Sequence, residues 1–191
     1  MHCERGRDDA AQIAHFQSRQ VSGCSGLGLA ECPLSTHCGH SISIYRHPMG
    51  KSVAVYRANG RLLVAPMVRS TNGLGLEIDP KDLGECPDEE SVEAAIASAL
   101  AQSERIVPHP EQSEWKGFFN PFLKAAGVRS YKSFMATARS LSVDEECGVL
   151  IVTPNRNLGA KEGFEPIVAD RQTLPDLSAT AKAVLELLPH S

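Results

Sequence analysis

The stretch PMVRSTNGLGLEI, residues 66–78, places Arg69, Ser70, Thr71, Asn72 and two glycines between apolar runs. Such a loop cradles a phosphate when a helix follows it, because the first N–H groups of that helix point at the anion. A phosphate loop also needs G-x-x-x-x-G-K-[ST], with its lysine on the phosphates. Here Gly73 and Gly75 stand two apart, no lysine follows, and the next run, LGLEID, has the alternation of a strand. The loop therefore reads as backbone geometry: Asn72-Gly73 as a hairpin turn and Gly75 as a bulge. Arg69 is the one member a turn does not explain. It has two readings, a carboxylate partner within the hairpin or a contact to another molecule.

Nucleophilic chemistry would need Cys86 or Cys147 beside a base, with His47 and His109 the candidates. His109 lies between Pro108 and Pro110, in a loop that does not preorganise a base. No G-x-S-x-G elbow is present. A cysteine-nucleophile enzyme stays as the alternative reading; the leading expectation is a chain with no catalytic residues. CSGLGLAECPLSTHCGH, residues 24–40, suggests zinc, but Cys24, Cys32 and Cys38 form no C-x2-C or C-x4-C pair and His37 abuts Cys38. No metal, cofactor or small-molecule substrate is expected.

Two acidic runs remain. PDEESVE holds Glu89, Glu90 and Glu93, and VDEEC holds Asp144, Glu145 and Glu146. The first reads as a helix N-terminus, where the dipole favours acids. The second reads as a charged loop before a strand. Together they are the candidate contacts to a basic protein partner.

The bulk numbers favour a protein partner over the other classes. Net charge is −4, from 19 Lys+Arg against 23 Asp+Glu. Nucleic-acid binders carry a basic surplus or stripe, and none appears. The longest apolar run is far below the roughly 18–20 residues of a membrane helix. The first residues, MHCERGRDDAAQ, lack the apolar core of a secretory signal. The expected compartment is the cytoplasm, where the six cysteines would stay reduced.

The elements that must position these residues fall into strands first, then helices. SISIYR, residues 41–46, alternates like a strand, and HPMGK turns after it. SVAVYRANGRLLVAPMV is a hairpin: Val53 and Val55 alternate with Ala54 and Tyr56, Asn59-Gly60 makes a type I′ turn, and residues 62–68 return. Pro66 lacks an N–H and belongs at an edge or bulge. Residues 74–79 add another strand. Residues 87–105 form a helix with Val92, Ala95, Ile96, Ala99 and Leu100 on one face. IVPHPEQSE is a proline-broken loop. Asn120-Pro121 opens a short helix that Gly127 stops. Ser130 caps a further helix with Tyr131, Phe134, Ala138 and Leu141 on one side. VLIVTP is a strand, NRNLGAKEG a polar loop, and FEPIVA a short strand. PDLSATAKAVLELL closes the chain as a helix. The expected fold is α+β: an antiparallel β-meander at the N-terminal side of the core, a single-layer sheet covered by three to four helices. Residues 1–39 are expected to be a poorly structured leader, and residues 40–191 one domain.

The run SISIYRHPMGKSVAVYRANGRLLVAPMVRSTNGLGLEIDP resembles the opening of the contact-dependent growth inhibition immunity proteins, the CdiI group. The matching positions are Tyr45, Arg46 and Pro48, then Pro66, Arg69, Ser70, Asn72, Gly73 and Gly75. VRSYKSFMATARSLSV and VLIVTPN resemble later segments of that group, so that the likeness spans about residues 41–188. The resemblance implies a cytoplasmic antitoxin. Such a protein binds and neutralises the C-terminal toxin domain, often a nuclease, of a cognate system. It carries over no catalytic residue and no shared toxin contact, and the motif positions read as structural.

Overall fold

The computed structural model describes residues 50–190. The expected leader, the SISIYR strand, the motif positions Tyr45, Arg46 and Pro48, His47, and the cysteine-rich stretch weighed for zinc lie outside the described residues. Among the described residues the strands are β1 Lys51–Ala58, β2 Arg61–Ser70, β3 Gly75–Glu77, β4 Lys81–Asp82, β5 Ile106–Val107, β6 Arg139–Glu146, β7 Val149–Gly159, β8 Gly163–Pro166 and β9 Gln172–Leu174. The helices are α1 Glu89–Ser103, α2 Asn120–Ala125, α3 Tyr131–Thr137 and α4 Leu177–Leu187.

The strands form one sheet in the order β3-β2-β1-β6-β7-β8, with β4 and β5 also on β2 and β9 on β7. Every pairing is antiparallel except the short β2–β5 pair. The fold is α+β, as expected, and the helices cover both faces of the single sheet. On one face α1 and α4 pack against Val53, Val55, Leu62, Val64, Leu141 and Val143. On the other, α2 and α3 pack against Ala54, Tyr56, Leu63 and Ala65 through Phe122 and Phe134. A central strand covered on both sides has no solvent face. That is why every residue from Val53 to Ala58 in β1 is buried. Removing each large side chain from water contributes about 1.5–3 kcal/mol.

Local chemistry sets the corners. Asn59 and Gly60 have φ of 50° and 78°, the two positive values a type I′ hairpin needs. Asn59 also sends its Nδ2 to Ala126 O at 3.0 Å, which ties the end of α2 to the turn. Asp88 caps α1 by accepting from Ser91 N at 2.8 Å. Arg105, just beyond α1, donates from Nε to Gln102 O at 3.2 Å and so serves a terminal carbonyl. Ser130 caps α3 and Asp176 caps α4.

Several expectations are corrected. The loop between β2 and β3 is four residues, 71–74. Gly73 N donates to Ser70 O and Ser70 N to Leu74 O, both at 2.8 Å, and Gly73 alone has a positive φ, 82°. Gly75 is no bulge; it pairs in register with Arg69. Pro66 is not at a free edge. It sits inside β2, where the outer side is served by β4 at Leu63–Val64 and by β3 at Met67–Arg69. Pro66 falls between the two, so its missing N–H breaks no ladder. Asn120 is the first residue of α2 rather than its cap.

The helix after Ser130 ends at Thr137, because Ala138 turns extended at ψ 129°. Leu141 and the VDEE acids therefore lie in strand β6, not in a helix and a loop. NRNLG continues β7, so the loop shrinks to residues 160–162. Ile106–Val107 pairs beside β2 instead of belonging to a plain loop.

Candidate binding site

The Tyr56 side chain enters the α2/α3 face of the sheet, flanked edge-on by Phe122 and Phe134 at centroid distances of 5.9 and 5.6 Å. Its hydroxyl donates to Glu77 Oε2 at 2.7 Å. The strand register explains the reach. Tyr56 opposes Leu63, and Met67 opposes Glu77, so both side chains stand on the same face with β2 between their strands. The β2 residue between Leu63 and Met67 on this face is Ala65, whose methyl leaves the span open.

Tyr56 is fully buried and Glu77 is 2% exposed. Glu77 Oε1 has no hydrogen-bond partner among the described residues. Burial pushes the Glu77 carboxyl up to about 7, against the Tyr56 hydrogen bond, which favours the ionised form. Burial also raises the Tyr56 phenol well above its usual value, and the adjacent Glu77 adds to the effect. The polar line continues across the sheet. Tyr56 opposes Ser140 in β6, and Ser140 Oγ accepts from Asn155 Nδ2 at 3.1 Å.

Beside this pair opens a cleft of about 280 Å³. Glu77, Ile78 and Asp79 line one side, and Glu114, Phe118 and Phe122 the other. No lysine or arginine lines it. The wall is held by two devices. Asp79 adopts φ 48°, a left-handed turn that Asp tolerates, and pairs with Arg105 at 3.3 Å. The segment 114–118 folds as a 3-10 turn pinned by Trp115, whose ring packs on Phe118 at 5.2 Å and on His109 at 5.9 Å. A cleft with three carboxylates, a partly exposed aromatic ring and no cation but the Arg105 paired with Asp79 suits a positively charged group.

The six acids proposed as partner contacts are distributed differently. Glu89 and Glu90 are exposed on the first turn of α1, and Glu93 is half-buried one turn on. Glu89 Oε1 accepts from Ser178 Oγ at 3.1 Å. In β6 the alternation of a strand sends Asp144 and Glu146 to one face and Glu145 to the other. Asp144 accepts from Ser52 Oγ at 2.6 Å and Ser142 Oγ at 3.1 Å. Burial raises its carboxyl despite those bonds. Glu145 pairs with Lys51 at 3.3 Å and Glu146 with Arg171 at 3.4 Å. The β6 acids therefore do not form one patch.

Cys86 and Cys147 are free and exposed. Cys147 with Gly148 forms the β6–β7 hairpin at φ 52° and 78°. His109 is fixed more firmly than its two prolines suggest. Its backbone N–H donates to Thr71 Oγ1 at 3.2 Å, and its Nδ1 lies 3.4 Å from Ser70 Oγ. Ser70 also accepts from Leu74 N at 3.0 Å, so the motif serine staples its own loop. The Arg69 side chain makes no hydrogen bond or ion pair among the described residues. No described helix is long and apolar enough to cross a membrane.

No protein-family model matches the sequence, and no curated protein is similar to it in sequence. Solved structures share the fold. A protein of unknown function from Neisseria meningitidis, NMB0488, superposes with a TM-score of 0.59 at 15% identity, covering 77% of this chain and 98% of its own. A chain of the CdiA-CT/CdiI toxin and immunity complex from Yersinia pseudotuberculosis superposes with a TM-score of 0.57 at 8% identity, covering 74% of this chain and 97% of its own.

Proposed function

We propose that this chain is an immunity protein that binds and neutralises the C-terminal toxin domain of a cognate contact-dependent growth inhibition system. The observation that carries the reading is the fold match to a chain of the CdiA-CT/CdiI complex, which covers 97% of that chain's length. The cleft beside Glu77 is consistent with it, because binding needs a shaped, charged surface. On this reading the protein does no chemistry of its own and works in the cytoplasm, where an incoming toxin acts. The cognate toxin is a nuclease, whose basic nucleic-acid surface suits a protein of net charge −4.

The test pairs the chain with the toxin domain encoded beside it. Co-expression should restore growth to cells making that toxin, and the two should elute as one complex. Growth arrest with both present, and separate elution, would sink the proposal.

A further inference from the structure

The fold has no need of an unpartnered carboxylate oxygen at the wall of a cleft. Apolar packing would serve the α2/α3 face equally well, and an orphaned buried acceptor costs stability. The geometry points to the cleft between the end of β3 and residues 114–122 as a receptor for an arginine side chain presented by a protein partner. The identity of that partner as a protein rests on the proposed function; the preference of the cleft for a guanidinium does not.

Three carboxylates, those of Glu77, Asp79 and Glu114, stand around the cleft with no lining cation. Each retains acceptor capacity. Glu77 uses only Oε2, on Tyr56. Asp79 holds Arg105 at 3.3 Å, and Glu114 Oε2 takes the Glu111 N–H at 2.7 Å. An ionised carboxylate accepts about four hydrogen bonds, so each has room for more. Phe118, partly exposed, supplies a flat apolar wall, and the buried Phe122 backs the cleft.

A guanidinium answers both features. It is planar, stacks on aromatic faces, and offers five N–H donors in a fixed fork. A lysine ammonium is a compact, strongly hydrated charge that matches the carboxylates but not the rings. The volume of about 280 Å³ accommodates the head group with part of its stem.

Occupancy is linked to protons. A guanidinium favours ionised Glu77, so affinity rises as pH passes through about 7. The other groups near Glu77 are Tyr56 from β1 and Tyr131 from α3, whose phenols both lie above their usual values and stay protonated there. Asp79 and Glu114 stand at the rim, with Arg105 on Asp79.

The test uses the full chain, ¹⁵N-labelled, titrated with N-acetyl-arginine methylamide. The amides of Ile78, Asp79, Gly117 and Phe118 should shift and saturate. The citrulline analogue, isosteric but neutral, and the lysine analogue should each bind roughly tenfold more weakly, the loss of a charge-assisted, fitted contact. Glu77→Gln should weaken the arginine probe about as much. Asp79→Asn, at an exposed residue, should weaken it without touching the core.

Equal response to citrulline or lysine, no saturable shift, or full binding by both variants would overturn the inference. If Glu77→Gln fails to fold, Asp79→Asn alone decides, and unchanged binding there overturns it. A probe that binds while the toxin domain does not would sink only the proposed function. A toxin complex that forms with an indifferent cleft would sink only this inference.

Discussion

The Tyr56 hydroxyl and the Glu77 carboxylate meet at 2.7 Å across strand β2, both side chains buried and Glu77 at the wall of the cleft. This contact links the central strand to the β3 end of the sheet and tempers the rise that burial imposes on the Glu77 carboxyl. Tyr56 is the only donor Glu77 has among the described residues. Tyr56→Phe keeps the ring and its packing on Phe122 and Phe134 but leaves both oxygens unpaired. The expected cost is about 1–3 kcal/mol, read as a lower urea midpoint at pH 8 with an unchanged slope. At pH 5 Glu77 is protonated and the cost should be smaller. Equal losses at both pH values would refute the pairing as described.

The same carboxyl gives the fold a pH signature. Its folded value of about 7 lies above the ordinary carboxylate value, so the folded state binds more protons than the unfolded state between the two. Stability therefore falls as pH rises through that window and levels off above about 7. A gap of about 2.5 units corresponds to roughly 3 kcal/mol. Asp144, also raised by burial, contributes in the same direction. Glu77→Gln should flatten most of the slope between pH 5 and 8 in denaturant titrations. A variant with the full wild-type slope would show that another group sets it.

The β1–β2 hairpin, α1, α4 and the class of fold were legible in the sequence because each has a local cause. Asn59-Gly60 demands a tight turn, and the stripe from Val92 to Leu100 demands a helix. Strand β6 was hidden because Tyr131, Phe134, Ala138 and Leu141 continue helical spacing past the point where the chain turns extended at Ala138. Its acids then looked like a loop, although Leu141 and Val143 alternate inward. Strands β5 and β9 span two and three residues and hold only through partners distant in sequence. Glu77 was missed for a related reason. In LGLEID it occupies the phase opposite to Leu74, Leu76 and Ile78, which ordinarily faces water. The available signal lay in another strand: β1 is apolar in both phases, which requires cover on both faces of the sheet.

Arg57 is a second buried polar group with a structural duty. It is 4% exposed, and no carboxylate accepts from it among the described residues. Its guanidinium donates to Leu188 O at 3.1 Å, Gly60 O at 3.0 Å and Glu85 O at 2.6 Å. Burial lowers its pKa, yet three carbonyls hold the charge in place. It clamps the end of α4 and the β1–β2 turn together. Arg57→Met should cost about 2–4 kcal/mol, since three acceptors lose a charged donor. Amide exchange should quicken first in the last turn of α4. Protection there equal to wild type would contradict the clamp.

Surface charge should separate binding from folding. Glu89 and Glu90 are exposed on the first turn of α1, while Asp144 is held by two serines and Glu145 and Glu146 are each in ion pairs. Asp88, not these glutamates, caps the helix. Reversing Glu89 and Glu90 to lysine therefore costs stability through the dipole, about 0.3–1 kcal/mol each, and through the exposed Ser178 hydrogen bond to Glu89. If α1 faces the toxin, the double reversal should slow association several-fold at low salt, and added salt should erase the difference. Asp144→Lys would be read differently, because it places a charge between Ser52 and Ser142 and unfolds before it reports on binding. Calorimetry or surface-binding kinetics with the toxin domain, run at two salt concentrations, makes the comparison. An association rate indifferent to Glu89 and Glu90 at low salt would remove α1 from the interface and leave the Glu77 cleft as the acidic contact.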